Sequence, residues 1–188
     1  MVAHLAWPPY TIAMQTNPWY VLTGGPCAGK TTLIREFEAD GIPVVHESAR
    51  VIIERELAVG KTLEEIRTPP GRFEAEIVAL DIANLARPAS DEKIFFDRSI
   101  IDNIGYHRFL GLEPSRELLV AAESARFRKV FLLDLLHYQL DDARNETPEE
   151  AAAVHDALEA AYRDYGIPVV QVPVMPVEER IVFVLERL

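Results

Sequence analysis

Apolar and polar positions along this chain fall into two alternating patterns. Short, continuous apolar runs at Trp19-Tyr20-Val21-Leu22-Thr23, Pro43-Val44-Val45-His46, Lys93-Ile94-Phe95-Phe96-Asp97, Lys129-Val130-Phe131-Leu132-Leu133 and residues 168–172 predict five strands. Between them, apolar residues recur at helical spacing. Helices are predicted near residues 30–39 and 48–59, the first closed by Asp40-Gly41 and the second by Gly60. Phe73, Ile77, Leu80 and Asn84 share one face of a longer helix that ends before Pro88. Two more helices are predicted over 101–110 and 114–125. Thr147-Pro148-Glu149-Glu150 opens another, with a capping threonine, a first-turn proline and a glutamate at the third position. The last helix carries Val177, Ile181, Leu185 and Leu188 on one side. Residues 61–71, which are polar and contain Pro69-Pro70, read as a loop. Residues 134–147 form a second polar loop, long enough to serve as a lid.

Strands that are apolar throughout, and that alternate with helices, indicate a parallel sheet covered on both faces. The expected fold is a three-layer αβα arrangement of about five strands. In such sheets ligands bind beyond the carboxyl ends of the strands. The chemistry is therefore expected just after residues 23, 46, 97 and 133.

The 188 residues fit one domain over 18–188, preceded by a leader at 1–17 that is expected to be flexible. That leader has no Lys or Arg and is interrupted by Pro8-Pro9, unlike a secretory signal, so the cytoplasm is the default location. No apolar run reaches the length of a membrane span. A net charge of −11 argues against long nucleic acid as a partner. The one cysteine, Cys27, excludes an internal disulfide framework, and the spacing of the five histidines gives no local two-histidine zinc motif.

The decisive segment follows the first strand. Gly24-Gly25-Pro26-Cys27-Ala28-Gly29-Lys30-Thr31 fits G-x-x-x-x-G-K-[ST], the Walker A pattern, between a buried-type strand and a helix. Its glycines let backbone N–H groups turn toward an anion at a helix N-terminus. With Thr32 beside it, this segment is the predicted cradle for ATP or GTP. Lys30 is placed to reach the β- and γ-phosphates, and the Thr31 hydroxyl to bind Mg²⁺. Cys27 reads as a small loop residue, since a thiolate phosphatase wants an arginine six positions on, where Leu33 stands.

Other candidates stand at the remaining strand ends. Asp97 closes an apolar strand and is a second Mg²⁺ ligand, or else a cap for the next helix. Arg98 is placed to grip a phosphate or an acceptor substrate. Glu47 is a candidate general base, or a favourable charge at a helix start, and Arg50 lies one turn on. Arg144, in the lid candidate, is placed to neutralise charge developing on a transferred phosphoryl group. Arg72 and Glu74 are candidates for the acceptor side.

Taken together, Gly24 to Leu33, the Pro43-Val-Val-His-Glu47-Ser-Ala-Arg50 segment, Phe96-Asp97-Arg98-Ser99, and the tail with Glu159-Ala-Ala-Tyr162 and Pro173 to Arg180 resemble the small P-loop family of AAA-type "predicted ATPase" domains. The resemblance covers about residues 18–188. It implies a P-loop NTPase fold with strand order 2-3-1-4-5. The layout is also similar to that of nucleotide and nucleoside kinases. In deoxynucleoside kinases a Glu after strand two is the base and an acidic-Arg-Ser triplet follows strand three, which Glu47 and Asp97-Arg98-Ser99 match. The chain departs from them in having one lid arginine instead of a cluster.

Two functions are open at this stage. One is phosphotransfer from ATP or GTP to a small nucleoside-like acceptor, with Lys30, Glu47, Arg98 and Arg144 catalytic and Arg50, Arg72 and Arg98 on the acceptor. The other is a nucleotide-dependent switch or binding module, which the resemblance also implies. The Asn-Lys-x-Asp base reader of common GTPases is missing, and Asp102-Asn103-Ile104-Gly105 matches a D-x-x-G string only inside a predicted helix. A homodimer is one permitted assembly, and the acceptor is unidentified.

Overall fold

A computed structural model describes residues 17–69, 71–86, 92–136 and 147–188. Five strands, β1 (Trp19–Thr23), β2 (Val44–Val45), β3 (Ile94–Asp97), β4 (Lys129–Leu133) and β5 (Val169–Val172), form one sheet in the order β2-β3-β1-β4-β5. All pairings are parallel, and Leu22 of β1 lies opposite Asp97 of β3. The carboxyl ends of the two central strands therefore finish side by side.

The helices are α1 (Lys30–Ala39), α2 (Ser48–Ala58), α3 (Leu63–Ile66), α4 (Arg72–Leu85), α5 (Ile100–Leu110), α6 (Arg116–Ser124), α7 (Pro148–Asp164) and α8 (Val177–Leu185). Because strand side chains alternate, β1 feeds two cores. Trp19 and Val21 pack with Phe96, Ile100, Ile104, Leu118 and Tyr162 under α5, α6 and α7. Tyr20 and Leu22 pack with Leu33, Phe37, Phe95, Phe131 and Val184 under α1 and α8. Aromatic pairs bind the layers, with Trp19 5.3 Å from Phe96 and Phe37 4.6 Å from Phe95 between ring centroids. Burying a side chain of this size stabilises the fold by about 1.5–3 kcal/mol.

The fold class and strand order are as the sequence predicts, and two local elements differ. The segment 61–71 is not all loop: Thr62 accepts from the Glu65 amide while the Glu65 carboxylate accepts from the Thr62 amide, and this capping box opens α3. The predicted four-residue second strand pairs over two residues only, at the edge of the sheet. The D-x-x-G string does lie in a helix, α5. A Cβ at Gly105 would sit 2.8 Å from Leu158 Cδ2 and 3.1 Å from Leu158 Cα, so the glycine lets α5 and α7 pack closely. The leader is described only at residue 17, and residues 137–146 of the lid candidate, with Arg144, lie outside the described residues.

Candidate active site

The loop at 24–29 runs from the end of β1 into α1, whose N-cap is Gly29 at φ 78°. A Cβ at Gly24 would lie 2.7 Å from the Leu133 carbonyl oxygen, so only glycine allows the loop to leave between β1 and β4. Cys27 also has a left-handed backbone, φ 65°. Three outside elements hold this loop. The Leu136 amide donates to the Cys27 carbonyl at 3.3 Å. The Gly25 amide donates to His155 Nδ1 at 3.5 Å. Buried Arg180 on α8 donates from Nη1 to the Ala28 carbonyl at 2.7 Å and from Nε to the Pro173 carbonyl at 3.1 Å.

Lys30, at the start of α1, is buried and ion-paired with Asp97, and its Nζ lies 3.6 Å from Glu47 Oε2. Glu47 occupies the N-cap of α2 but makes no side-chain cap bond. Its carboxylate instead bridges Lys30 and Arg98, whose Nε lies 3.1 Å from Oε1. Burial is the largest influence on the Glu47 carboxyl and raises its pKa. The cations Arg98, Lys30 and Arg50 outweigh it, so the net shift is downward and Glu47 is ionised at neutral pH. Asp97 is not a helix cap either: Ser99 caps α5, accepting from the Ile101 amide. Arg98 has a left-handed φ of 65°, unusual for a long side chain, and the side chain is 14% exposed. It pairs with Asp102 at 3.3 Å and sits 5.3 Å over the Tyr106 ring.

The other predicted residues divide by location. Arg50 Nη2 donates to Thr31 Oγ1 at 3.3 Å, and Arg50 borders a cavity of about 220 Å³ shared by Thr31 and Asp97, beside the phosphate loop. Thr31 and Asp97 bring a hydroxyl and a carboxylate oxygen to one cavity, which is the hard oxygen chemistry that Mg²⁺ takes. Arg72 pairs with Glu76 at 3.1 Å on an exposed face, whereas Glu74 borders a second cavity. Among the described residues no cluster of three or more His, Cys, Asp and Glu is built to hold a metal by itself.

That second cavity, of about 250 Å³, lies between α2, α4 and α5 and includes Glu47 and Arg98 in its wall. Phe73, Ile77 and Tyr106 supply apolar surface. Asp81 lines it, accepting from Ser48 Oγ at 2.5 Å and from Asn103 Nδ2 at 2.6 Å. Burial raises the Asp81 pKa to about 6, opposed by these hydrogen bonds and reinforced by Asp102 and Glu47.

Asp102 ties the site to the core. It accepts from the Ser99 amide at 2.8 Å, from the Thr23 hydroxyl and from the Tyr162 hydroxyl, and it pairs with Arg98. Tyr162 also bonds Ser99 Oγ at 2.8 Å. Sequence reasoning missed Asp81, Asp102, His155 and this use of Tyr162. The capping spacing of Ser99 and Asp102 was legible, but nothing marked Asp81 apart from any helix carboxylate.

The chain belongs to a family of AAA domains, whose model matches residues 19–180. No curated protein matches it in sequence. Among solved structures, it is similar to a deoxyadenosine kinase from M. mycoides with its products dCMP and dCDP, at 14% identity over 90% of this chain and 97% of that one, with a TM-score of 0.61. It is similar to thymidylate kinase from Candida albicans at 13% identity over 92% and 91%, with a TM-score of 0.64. It is also similar to a NadR protein in complex with NR at 19% identity and a TM-score of 0.63, over 89% of this chain and 48% of that one, so it spans about half of that protein. These likenesses show a shared P-loop kinase fold. No helix among the described residues is long and apolar enough to cross a membrane.

Proposed function

We propose that this protein transfers the γ-phosphoryl group of ATP or GTP to a hydroxyl of a small, nucleoside-like acceptor. The observation that carries this reading is Glu47, an ionised carboxylate shared by the phosphate-loop lysine and by Arg98 in the wall of a separate cavity. A pure nucleotide binder has no need for a base placed between a phosphate cradle and a second pocket. The kinase activities named for similar structures support the same class.

In this scheme the main-chain amides of 24–31 and Lys30 hold the triphosphate. Thr31 and Asp97 would hold Mg²⁺, which would offset negative charge on the phosphates. The acceptor lies in the cavity of Glu47 and Arg98. Its hydroxyl oxygen forms a bond to the γ-phosphorus, and its proton passes to a Glu47 oxygen. The bond from the γ-phosphorus to the β–γ bridging oxygen breaks, and the diphosphate leaves. Arg98 neutralises charge on the phosphoryl oxygens in flight. Asp102 holds Arg98, and Arg180 holds the loop backbone.

The test is release of ADP from ATP and Mg²⁺, first alone and then with a panel of nucleosides, nucleotides and small alcohols. Acceptor-dependent release is expected, falling about 10²–10⁴-fold in Glu47→Gln while nucleotide affinity stays within about threefold. Nucleotide binding without turnover on any panel member overturns the proposal in favour of a switch.

A further inference from the structure

We infer that the acceptor is an uncharged or cationic ring-bearing alcohol, that phosphomonoesters and other anions are excluded, and that Asp81 and Glu74 set this preference. The inference rests on the phosphotransfer reading and deepens it. Four carboxylates line the cavity, those of Glu47, Glu74, Asp81 and Asp102, against Arg98 and His107. Arg98 is already matched by Glu47 at 3.1 Å and Asp102 at 3.3 Å. His107 directs Nδ1 to the Asn103 carbonyl at 2.7 Å. A phosphate or carboxylate on the acceptor would therefore meet a wall that holds more carboxylates than cations.

Asp81 is fixed in place. Ser48 and Asn103 each bond one of its oxygens, which leaves each oxygen able to accept again from a ligand donor. Burial first, and then the negative neighbours Asp102 and Glu47, make its ionisation harder, to about pH 6. A cation brought alongside is favoured by the same field. Phe73 and Ile77 add apolar surface that suits a flat acceptor. Arg72, the cation nearest in sequence, is held outward on Glu76.

The experiment uses the full chain at pH 7.5 with ATP and Mg²⁺. The acceptors are an uncharged purine riboside, a cationic pyridinium riboside, and the 5′-phosphate of each. At least one riboside is expected to exceed its own monophosphate in kcat/KM by about tenfold or more, and that gap is expected to shrink in Asp81→Asn and in Glu74→Gln. Asp81 also ties three helices together, so a merely structural role would lower all acceptors alike and leave the ratio unmoved. Glu74, which is exposed, tests the same ratio without that risk to folding. Monophosphates that equal or surpass their ribosides in both pairs overturn the inference while leaving phosphotransfer intact. So does a gap that neither variant changes. If nothing is phosphorylated, phosphotransfer itself fails. Calorimetric affinities of the same four compounds, with a non-hydrolysable ATP analogue present, then give the charge ranking, and tighter binding of the monophosphates overturns the inference.

Discussion

The phosphate loop and the cavity between α2, α4 and α5 lie side by side at the carboxyl end of the sheet, yet they are built in opposite ways. The loop is one continuous stretch of chain, 24–31, whose character lies in its main-chain geometry and one buried lysine. The cavity is assembled from α2, α4 and α5, and its properties belong to side chains brought from residues 47 to 112. A main-chain site tolerates little change at a few positions, because each glycine or amide has one geometric role. A side-chain site is adjustable residue by residue. That difference explains how similar structures named for different kinase activities can share one fold.

The contrast is broken most directly at Lys30. Lys30→Ala is expected to lower acceptor-dependent kcat/KM by about 10²–10³-fold and to weaken triphosphate binding. It also leaves the buried Asp97 without its ionic partner. Unchanged nucleotide affinity by equilibrium dialysis would show that the loop does not hold the triphosphate.

Next in size is Asp102, which belongs to the support beneath both regions. Asp102→Ala takes away the acceptor of the Thr23 hydroxyl and the Ser99 amide inside the protein and leaves the Tyr162 hydroxyl with Ser99 Oγ. A loss of about 2–5 kcal/mol in urea unfolding is expected. A loss below about 0.5 kcal/mol would mean that water or other groups satisfy this network.

The smallest effect belongs to Asp81 and is read through pH. The folded carboxyl keeps its proton up to about pH 6, against an ordinary value of 3.8. The folded state therefore binds more protons in this window. The stability it contributes is complete below about pH 4 and is lost as pH rises through 6. Relative to Asp81→Asn, the natural protein should lose about 1–3 kcal/mol between about pH 4 and pH 7. A constant difference between the two proteins across that range would show that Asp81 is not perturbed.

How much of this could be read beforehand follows the same division. The strands at 19–23, 94–97 and 129–133 were legible because a strand buried on both faces must be apolar throughout, and that pattern is local. Gly24 to Thr31 was legible because the chemistry of the cradle fixes spacing. Glu47 and Asp97 could each be read as functional or as helix-end residues; in the structure neither side chain makes a cap hydrogen bond, Glu47 stands at the start of α2, and both reach Lys30. Arg50 was expected on the acceptor, and in the structure it stands against Thr31. Helical spacing fixed its turn but not the neighbour it would meet. The α3 capping box was visible as Thr62 and Glu65, and was obscured by the proline pair that follows.

By itself, then, the order of residues determined the layer architecture and the phosphate-loop motif, since periodicity and contiguous loop geometry act over a few residues at a time. Tertiary structure alone decided that Asp81 would face Ser48 and Asn103, that Asp102 would collect Thr23, Ser99 and Tyr162, and that Arg180 would hold the loop from 152 positions away. Buried charges and hydroxyls find partners across helices, and which helix meets which is set by the packing of whole elements, a quantity no local pattern contains.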